Sequence, residues 1–322
     1  MLLQIEDLQI TFRTVYGPLT AVNGASLGVE KGESVAIIGE SGAGKSTVGL
    51  AIVRLLPPNA EITGGRMVLD GRDISRLTAK DAVSVRGVEA FMIFQDPLNS
   101  LNPVKRVSHQ MVEALGVRYK REHKTFNEKE AHKEAVEKME AVRLPDPEVM
   151  IERYPHQLSG GQIQRVVIAM GLLLKPKLLI ADEPTSALDV TIQAQVLKLM
   201  NDLKKEYGMS ILFITHDISV AHAIADKFLV MYAGQVSEFG PSTKVLKNPL
   251  HPYTQALTSS IPTRSRSDGV LKSIPGYPPN MLRPPDGCRF HPRCPRAMDV
   301  CKSQNPVDIL KDDRLVRCWL YD

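Results

Sequence analysis

Gly39-Glu40-Ser41-Gly42-Ala43-Gly44-Lys45-Ser46 matches G-x-x-x-x-G-K-S/T at every position, and the rest of the chain is read outward from it. It follows Ser34 to Ile38 (SVAII), a short apolar, β-branched run of the kind that forms a buried strand, and opens onto a helix starting near Lys45. Glycines let the backbone curl until successive N–H groups face phosphate oxygens, and the helix N-terminus adds positive potential. Lys45 brings a full charge to the β- and γ-phosphates, and the Ser46 hydroxyl is a ligand for Mg²⁺. The segment predicts a nucleoside triphosphate site.

Two more apolar runs, Lys177 to Ala181 (KLLIA) and Ser210 to Thr215 (SILFIT), repeat the buried-strand pattern. Between them, Thr191 to Tyr207 sets Val196, Met200 and Leu203 on one helical face. Lys204 and Lys205 lie in its last turn and Gly208 is a stop. Strand–helix–strand alternation predicts an α/β fold, a mainly parallel sheet covered by helices. Asp182-Glu183 follows the run ending at Ala181. A carboxylate at the end of a strand beside the phosphate loop is placed to hold the magnesium shell, the role expected of Asp182. The next side chain points another way, so Glu183 is expected to face the γ-phosphate and orient an attacking water.

Of 322 residues, 43% are hydrophobic and 24% charged, an ordinary globular mix that excludes a disordered or collagen-like chain. The longest uncharged apolar stretch, Val166 to Leu174, stops at Lys175, short of the roughly 20 residues of a membrane span. Met1 to Thr11 carries two acids and no base, so no secretory signal is legible there. Net charge is +4 with both signs interspersed, which makes no case for nucleic acid. Residues 97–158 lack strand patterns. Within them Glu128 to Arg143 sets Ala131, Ala135, Met139 and Val142 at helical spacing against a charged, solvated face. A helical subdomain of about 97–165, inserted into the α/β core, is expected. Nine of the 22 prolines and all four cysteines fall in 259–322, which marks a loop-rich C-terminal extension starting near Ser259.

Leu158-Ser159-Gly160-Gly161-Gln162, followed by Gln164-Arg165, reads LSGGQ. Ser159 and two glycines opening an apolar helix make a second anion site. Together with the phosphate loop, this motif resembles the signature of ATP-binding-cassette (ABC) proteins. The resemblance covers roughly residues 1–258 and implies a P-loop cassette with an N-terminal antiparallel β part. It further implies that two cassettes pair head to tail. Each ATP then lies between the phosphate loop of one chain (Gly39, Ser41, Gly42, Ala43, Gly44, Lys45, Ser46, Thr47) and the signature of the other. Gln95, after the strand pattern Phe91 to Phe94, resembles the glutamine that contacts Mg²⁺ and senses the transmembrane partner. Ser186-Ala187-Leu188-Asp189 resembles the loop that communicates across the dimer. His216 resembles the switch histidine on the γ-phosphate and joins Lys45 and Glu183 as the catalytic set. Such cassettes stack adenine on an aromatic ring. Phe12, where the strand pattern Ile5, Leu8, Ile10 ends, matches that position, and Tyr16 is a substitute four residues on.

Three segments are similar to the ATPase subunits of dipeptide and oligopeptide importers: Tyr154-Pro155-His156-Gln157-Leu158, Asn248-Pro249-Leu250-His251-Pro252-Tyr253-Thr254, and Gly287-Cys288-Arg289-Phe290-His291-Pro292-Arg293-Cys294-Pro295. The likeness implies a second ATPase (a paralogue or another copy), two transmembrane permease subunits, and an external peptide-binding protein met only indirectly. It implies a peripheral place at the cytoplasmic face of the membrane. Importers of nickel or glutathione share much of the pattern. A soluble ABC ATPase acting on DNA or ribosomes is the alternative from another class. Against it, Lys45 and Ser159 stand 114 positions apart with no sustained heptads between them. Cys288, Cys294, Cys301 and Cys318 read C-x5-C-x6-C-x16-C, which suits zinc or an iron–sulfur cluster without choosing between them. The importer likeness favours a 4Fe–4S cluster over Zn²⁺, as a staple for an extension with few apolar residues. The ATP motifs all lie outside the extension, so ATP chemistry is expected to survive the loss of one cluster ligand.

Overall fold

Leu3, Ile5, Leu8 and Ile10 are apolar positions of the first strand, and in the computed structural model all four are buried. Their alternation slips between Ile5 and Leu8, where the strand carries a β-bulge and Asp7 adopts φ 47. The structure describes residues 1–186, 188–260 and 274–322. The chain forms two units, residues 1–77 with 212–322, and residues 78–211. Strands in chain order are β1 (Leu3–Thr14), β2 (Gly17–Val29), β3 (Ser34–Ile38), β4 (Ala60–Leu69), β5 (Arg72–Asp73), β6 (Ala90–Ile93), β7 (Leu178–Asp182), β8 (Ser210–Thr215), β9 (Lys227–Tyr232), β10 (Gln235–Pro241), β11 (Asp308–Lys311) and β12 (Arg314–Arg317).

In the first unit, β2-β1-β4-β5 make an antiparallel sheet, as the cassette resemblance implies. A second sheet runs β11-β12-β10-β9-β3-β8. β3 lies parallel to β9, whereas β9, β10, β12 and β11 are antiparallel in turn. The sheet is therefore mixed where the alternation of elements predicted it mainly parallel. The reason is local. Ala233 and Gly234, at φ 47 and φ 81, form a two-residue hairpin loop that sends β10 back along β9. Asp312 and Asp313, at φ 50 and φ 59, turn β11 into β12 the same way. The loop-rich extension thus adds two strands to the sheet. Among the described residues, Val316 and Cys318 of the extension pack on Leu250 of the cassette, with Ile309, Leu320 and Tyr321 against them. The boundary near Ser259 is followed by residues 261–273, which lie outside the described residues.

In the second unit β6 and β7 pair in parallel. Among the described residues, 97–165 contain no strand, in line with the expected helical insertion. Helix Val107–Arg121 buries Val107, Met111 and Leu115, and helix Glu128–Ala141 buries Ala131, Ala135 and Met139. Both stripes step by four residues, so each helix turns one face inward. Helix Val190–Tyr207 buries Val196, Met200 and Leu203 and ends on Gly208 at φ 64, the left-handed stop read from the sequence.

Arg118 is 3% exposed and ties the helical unit together. Its guanidinium donates to both Glu134 carboxylate oxygens at 2.8 Å and to the Leu173 carbonyl oxygen at 2.5 Å. Burial pushes the Glu134 carboxyl up, but the Arg118 bonds outweigh it and hold the pKa below its ordinary 4.5. Glu134→Ala is expected to destabilise the protein by about 3 kcal/mol at neutral pH, because it strands a buried guanidinium. The contribution of Glu134 is present above pH 4.5 and fades as pH falls through the lowered value. Urea midpoints of variant and wild type should therefore converge in acid; a gap that widens there would contradict the pairing.

Candidate functional site

All five residues of β3 are buried, and the strand delivers the phosphate loop to helix Lys45–Ile52, whose N-cap is Gly44. A Cβ on Gly39 would stand 2.1 Å from the Met231 carbonyl oxygen, so β9 approaches the loop too closely for any side chain there. Gly42 is the opposite case, at φ 79 with open space around it. Lys45 is 6% exposed, and its Nζ donates to the carbonyl oxygens of Gly39 (2.9 Å) and Glu40 (3.0 Å). Ser41 is exposed, while Ser46 and Thr47 are half-buried in the first helical turn. The β9–β10 turn braces the loop. Gly234 N–H donates to the Ala43 carbonyl (3.1 Å), and Gly234 in turn accepts from Asn23 N–H (2.8 Å). His216 is exposed after β8, directly before Asp217, which caps helix Ile218–Ile224. Phe12 is half-buried within β1, opposite Leu19 and Ala60. Tyr16, in the β1–β2 turn, is 84% exposed and is the more accessible of the two rings.

In the second unit Asp182, 6% exposed, closes β7. Glu183 then turns to φ 43, a left-handed conformation that a residue with a side chain holds only against strain. The turn brings its carboxylate to Gln95, whose Nε2 donates to Glu183 Oε2 at 3.1 Å. Ser186 donates its N–H and Oγ to the Glu183 carbonyl oxygen at 3.2 and 3.1 Å. Ala187 lies outside the described residues.

Leu158 is buried, and Ser159 caps helix Gly160–Leu174 through a capping box. Its N–H donates to Gln162 Oε1 (2.9 Å) and its Oγ accepts from Gln162 N–H (3.4 Å). Asp189 caps the neighbouring helix Val190–Tyr207 by accepting from Ile192 N–H at 2.9 Å. Both helix starts line one open groove of about 570 Å³, with Gly160, Gly161 and Arg165 beside them. Two helix starts and the Arg143 and Arg165 guanidiniums favour an anion there, against the Asp189 carboxylate that caps its own helix.

The extension is not remote from the phosphate loop. Arg293 donates to Glu40 through both guanidinium nitrogens, at 2.7 and 3.0 Å. That pairing holds the Arg293 pKa above the usual arginine range. Tyr253 is fully buried, and its hydroxyl accepts from Glu40 N–H at 3.0 Å. The four cysteines are free thiols, Cys301 and Cys318 buried and Cys288 and Cys294 partly exposed. Burial, with a further push from Cys288, Cys294 and Cys301, raises Cys318 to about 11. Among the described residues, no three His, Cys, Asp or Glu side chains are arranged to hold a metal ion.

The ABC transporter family matches residues 22–186, from β2 through the phosphate loop, Gln95, the signature and Glu183. The chain belongs to the ABC transporter family. The C-terminal region of oligopeptide/dipeptide transporters matches residues 237–301. The oligopeptide transport ATP-binding protein OppD of Salmonella typhimurium is 44% identical over 319 residues, 99% of this chain and 93% of that protein. The dipeptide transport ATP-binding protein DppD of Bacillus subtilis is 43% identical over 322 residues, 99% of this chain and 95% of that protein. A solved dimer of the ATP-binding cassette MJ0796, in a post-hydrolysis state bound to ADP and Pi, is 27% identical with a TM-score of 0.67. The match covers 74% of this chain and 98% of the other. The cassette is an ATPase. No helix among the described residues is long and apolar enough to cross a membrane.

In the second unit Gln95 and Glu183, both read from sequence, make a direct pair, and Ser159 and Asp189 line one groove. Missing from that reading are the neighbours that hold the phosphate loop from outside: Tyr253, Arg293 and the Ala233–Gly234 turn. One signal was present. Glu40 puts a carboxylate inside a loop built for anions, and such a charge calls for a cation close by. Because Gly39 is crowded and Gly42 is open, the ABC ATPase should tolerate alanine differently at the two. Gly42→Ala is expected to cost about 1 kcal/mol of backbone strain, and Gly39→Ala about 3 kcal/mol or more. Thermal unfolding of the two variants checks this, and the reverse order would deny the close approach of Met231.

Proposed function

We propose that the chain is the ATP-hydrolysing subunit of an importer of di- or oligopeptides, held peripherally at the cytoplasmic face of the membrane. The observation that carries this is likeness along the whole chain, extension included, to oligopeptide and dipeptide transport ATP-binding proteins. In this reading the cassette spans 1–258, with its helical part at about 97–165, and the extension spans 259–322. A second cassette, a paralogue or another copy, and two transmembrane permease subunits complete the complex. Peptide is bound by the permeases and an external binding protein and does not reach this chain.

Each site residue has a role in that reading. Lys45 and the loop N–H groups bind the β- and γ-phosphates, and Tyr16 or Phe12 stacks on adenine. The Ser46 hydroxyl, the Asp182 carboxylate and the Gln95 amide oxygen are hard oxygen donors, a set that fits Mg²⁺. When bound, Mg²⁺ neutralises charge on the phosphates. Glu183 accepts the proton of the attacking water, oriented by its bond from Gln95. His216 contacts the γ-phosphate. The Ser159 to Gln162 helix start closes on the nucleotide of the other cassette, and Ser186 and Asp189 sit at the junction between the two. Removing the base while keeping a hydrogen-bonding group isolates the chemical step. Glu183→Gln is expected to lower ATP turnover by roughly 10²–10⁴-fold with ATP binding retained. Normal turnover by the assembled variant would remove Glu183 from the mechanism.

The same reading gives the extension a 4Fe–4S cluster on Cys288, Cys294, Cys301 and Cys318, with Zn²⁺ as the alternative. Four free thiols, with Cys318 raised by burial and further by Cys288, Cys294 and Cys301, form a soft donor set that a cationic centre would deprotonate and hold. A cluster spreads its ligands over four irons, whereas a single zinc draws all four sulfurs to one point. When bound, the cluster cross-links a segment with little core of its own. Cys294→Ser should lose brown colour and iron on anaerobic purification and leave the extension protease-sensitive. Stoichiometric zinc without labile sulfide in the wild type would replace the cluster by a zinc knot.

A further inference from the structure

The carboxylate of Glu40 stands at the second position of a loop that binds a triphosphate, and the segment between Cys288 and Cys294 supplies its counter-charge. Arg293 lies one residue before Cys294, its side chain is 6% exposed, and every N–H of its guanidinium is accounted for. Two of them meet Glu40 at 2.7 and 3.0 Å. The others meet the Tyr232 hydroxyl (3.2 Å) and the carbonyl oxygens of Pro275 (2.8 Å) and Ile274 (3.4 Å). A planar fork satisfied on all sides has one orientation, so Glu40 is fixed rather than merely neutralised.

The loop carrying Arg293 is itself seated firmly. Phe290, 2% exposed, packs against the rings of Tyr232 (5.1 Å) and Tyr253 (5.4 Å). Arg289 donates to the Ala233 carbonyl oxygen, at the turn whose Gly234 N–H holds Ala43. The segment between Cys288 and Cys294 therefore reaches the phosphate loop by two routes, through Glu40 at its start and through Ala43 near its end.

We propose that Arg293 is a positioning residue of the ATP site: by neutralising and orienting Glu40 it sets the affinity of the phosphate loop for the triphosphate. Without Arg293, the Glu40 carboxylate would face the incoming phosphates unpaired and repel them. The effect falls on binding rather than on the chemical step, since Glu40 accepts no proton in the reaction. The inference rests on ATP being bound by the Gly39–Ser46 loop.

The test is a cycle of Arg293→Ala, Glu40→Gln and the double variant in the full chain, read by titration with a fluorescent ATP analogue and Mg²⁺. Iron content and thermal unfolding are measured alongside. Arg293→Ala is expected to weaken nucleotide binding on the order of 10-fold and to raise KM with little change in kcat. Glu40→Gln serves as the reference of the cycle, and the double variant is expected to recover most of the loss seen in Arg293→Ala, because removing the carboxylate removes the repulsion. Arg293→Gln should behave as Arg293→Ala and decides the matter where the alanine variant does not fold. Unchanged affinity in either Arg293 variant would overturn the proposal. So would a double variant as weak as the single, since that marks lost packing and not lost neutralisation. A wild-type chain that bound no ATP would count against the phosphate-loop assignment itself and not against the pairing.

Discussion

A loop that binds a triphosphate has to keep its N–H groups turned inward before the anion arrives, and the first unit is arranged around that requirement. Backbone alone fills the space beside Gly39, where the Met231 carbonyl leaves no room for a Cβ. Further along, Gly234 N–H fixes Ala43, and Lys45 is drawn onto the carbonyls of Gly39 and Glu40. Each contact removes a degree of freedom that binding would otherwise have to remove, so affinity is gained through preorganisation. Tyr253 and Arg293 belong to the same framework although they lie far along the chain.

The second unit meets a different requirement, keeping the first turn of the signature helix open in a groove. Ser159 and Asp189 spend their side chains on capping their own helices, which leaves the first-turn N–H groups of Gly160 and Gly161 as the anion-facing donors. Behind them the helices need a rigid support, and Arg118 provides it by crossing from one helix to Glu134 on the next and to the Leu173 carbonyl at the end of the signature helix. A buried charge is a demanding device, because it is stable only with all its partners in place. It also allows few alternative packings.

The legible part of the site is the part whose logic is local. The phosphate loop, the signature and the acids after β7 are short runs in which neighbours in sequence are neighbours in space, so a pattern of residue types already states a geometry. Helix faces are legible for the same reason: Ala131, Ala135 and Met139 are spaced by four and bury together. The β-bulge at Asp7 was visible only as a break in alternation, and the strained φ of Glu183 left no trace in residue type. The β9–β10 hairpin was not read from the sequence, because Ala233-Gly234 is a weaker turn signal than Asn-Gly.

By itself the sequence determined the α/β class, the two anion-binding helix starts and the kind of chemistry they serve, since these follow from periodicity and from residues within one turn or strand. Its motif likeness extended to the tail, whose cysteines and prolines marked it as an appendage. Only the tertiary structure decided that the appendage is a support of the phosphate loop. Glu40 and Arg293 are 253 positions apart, and nothing in either neighbourhood names the other. Pairing at that distance is set by where the β9–β10 hairpin turns and where Phe290 finds an aromatic pocket, and packing of that kind is a property of the assembled fold.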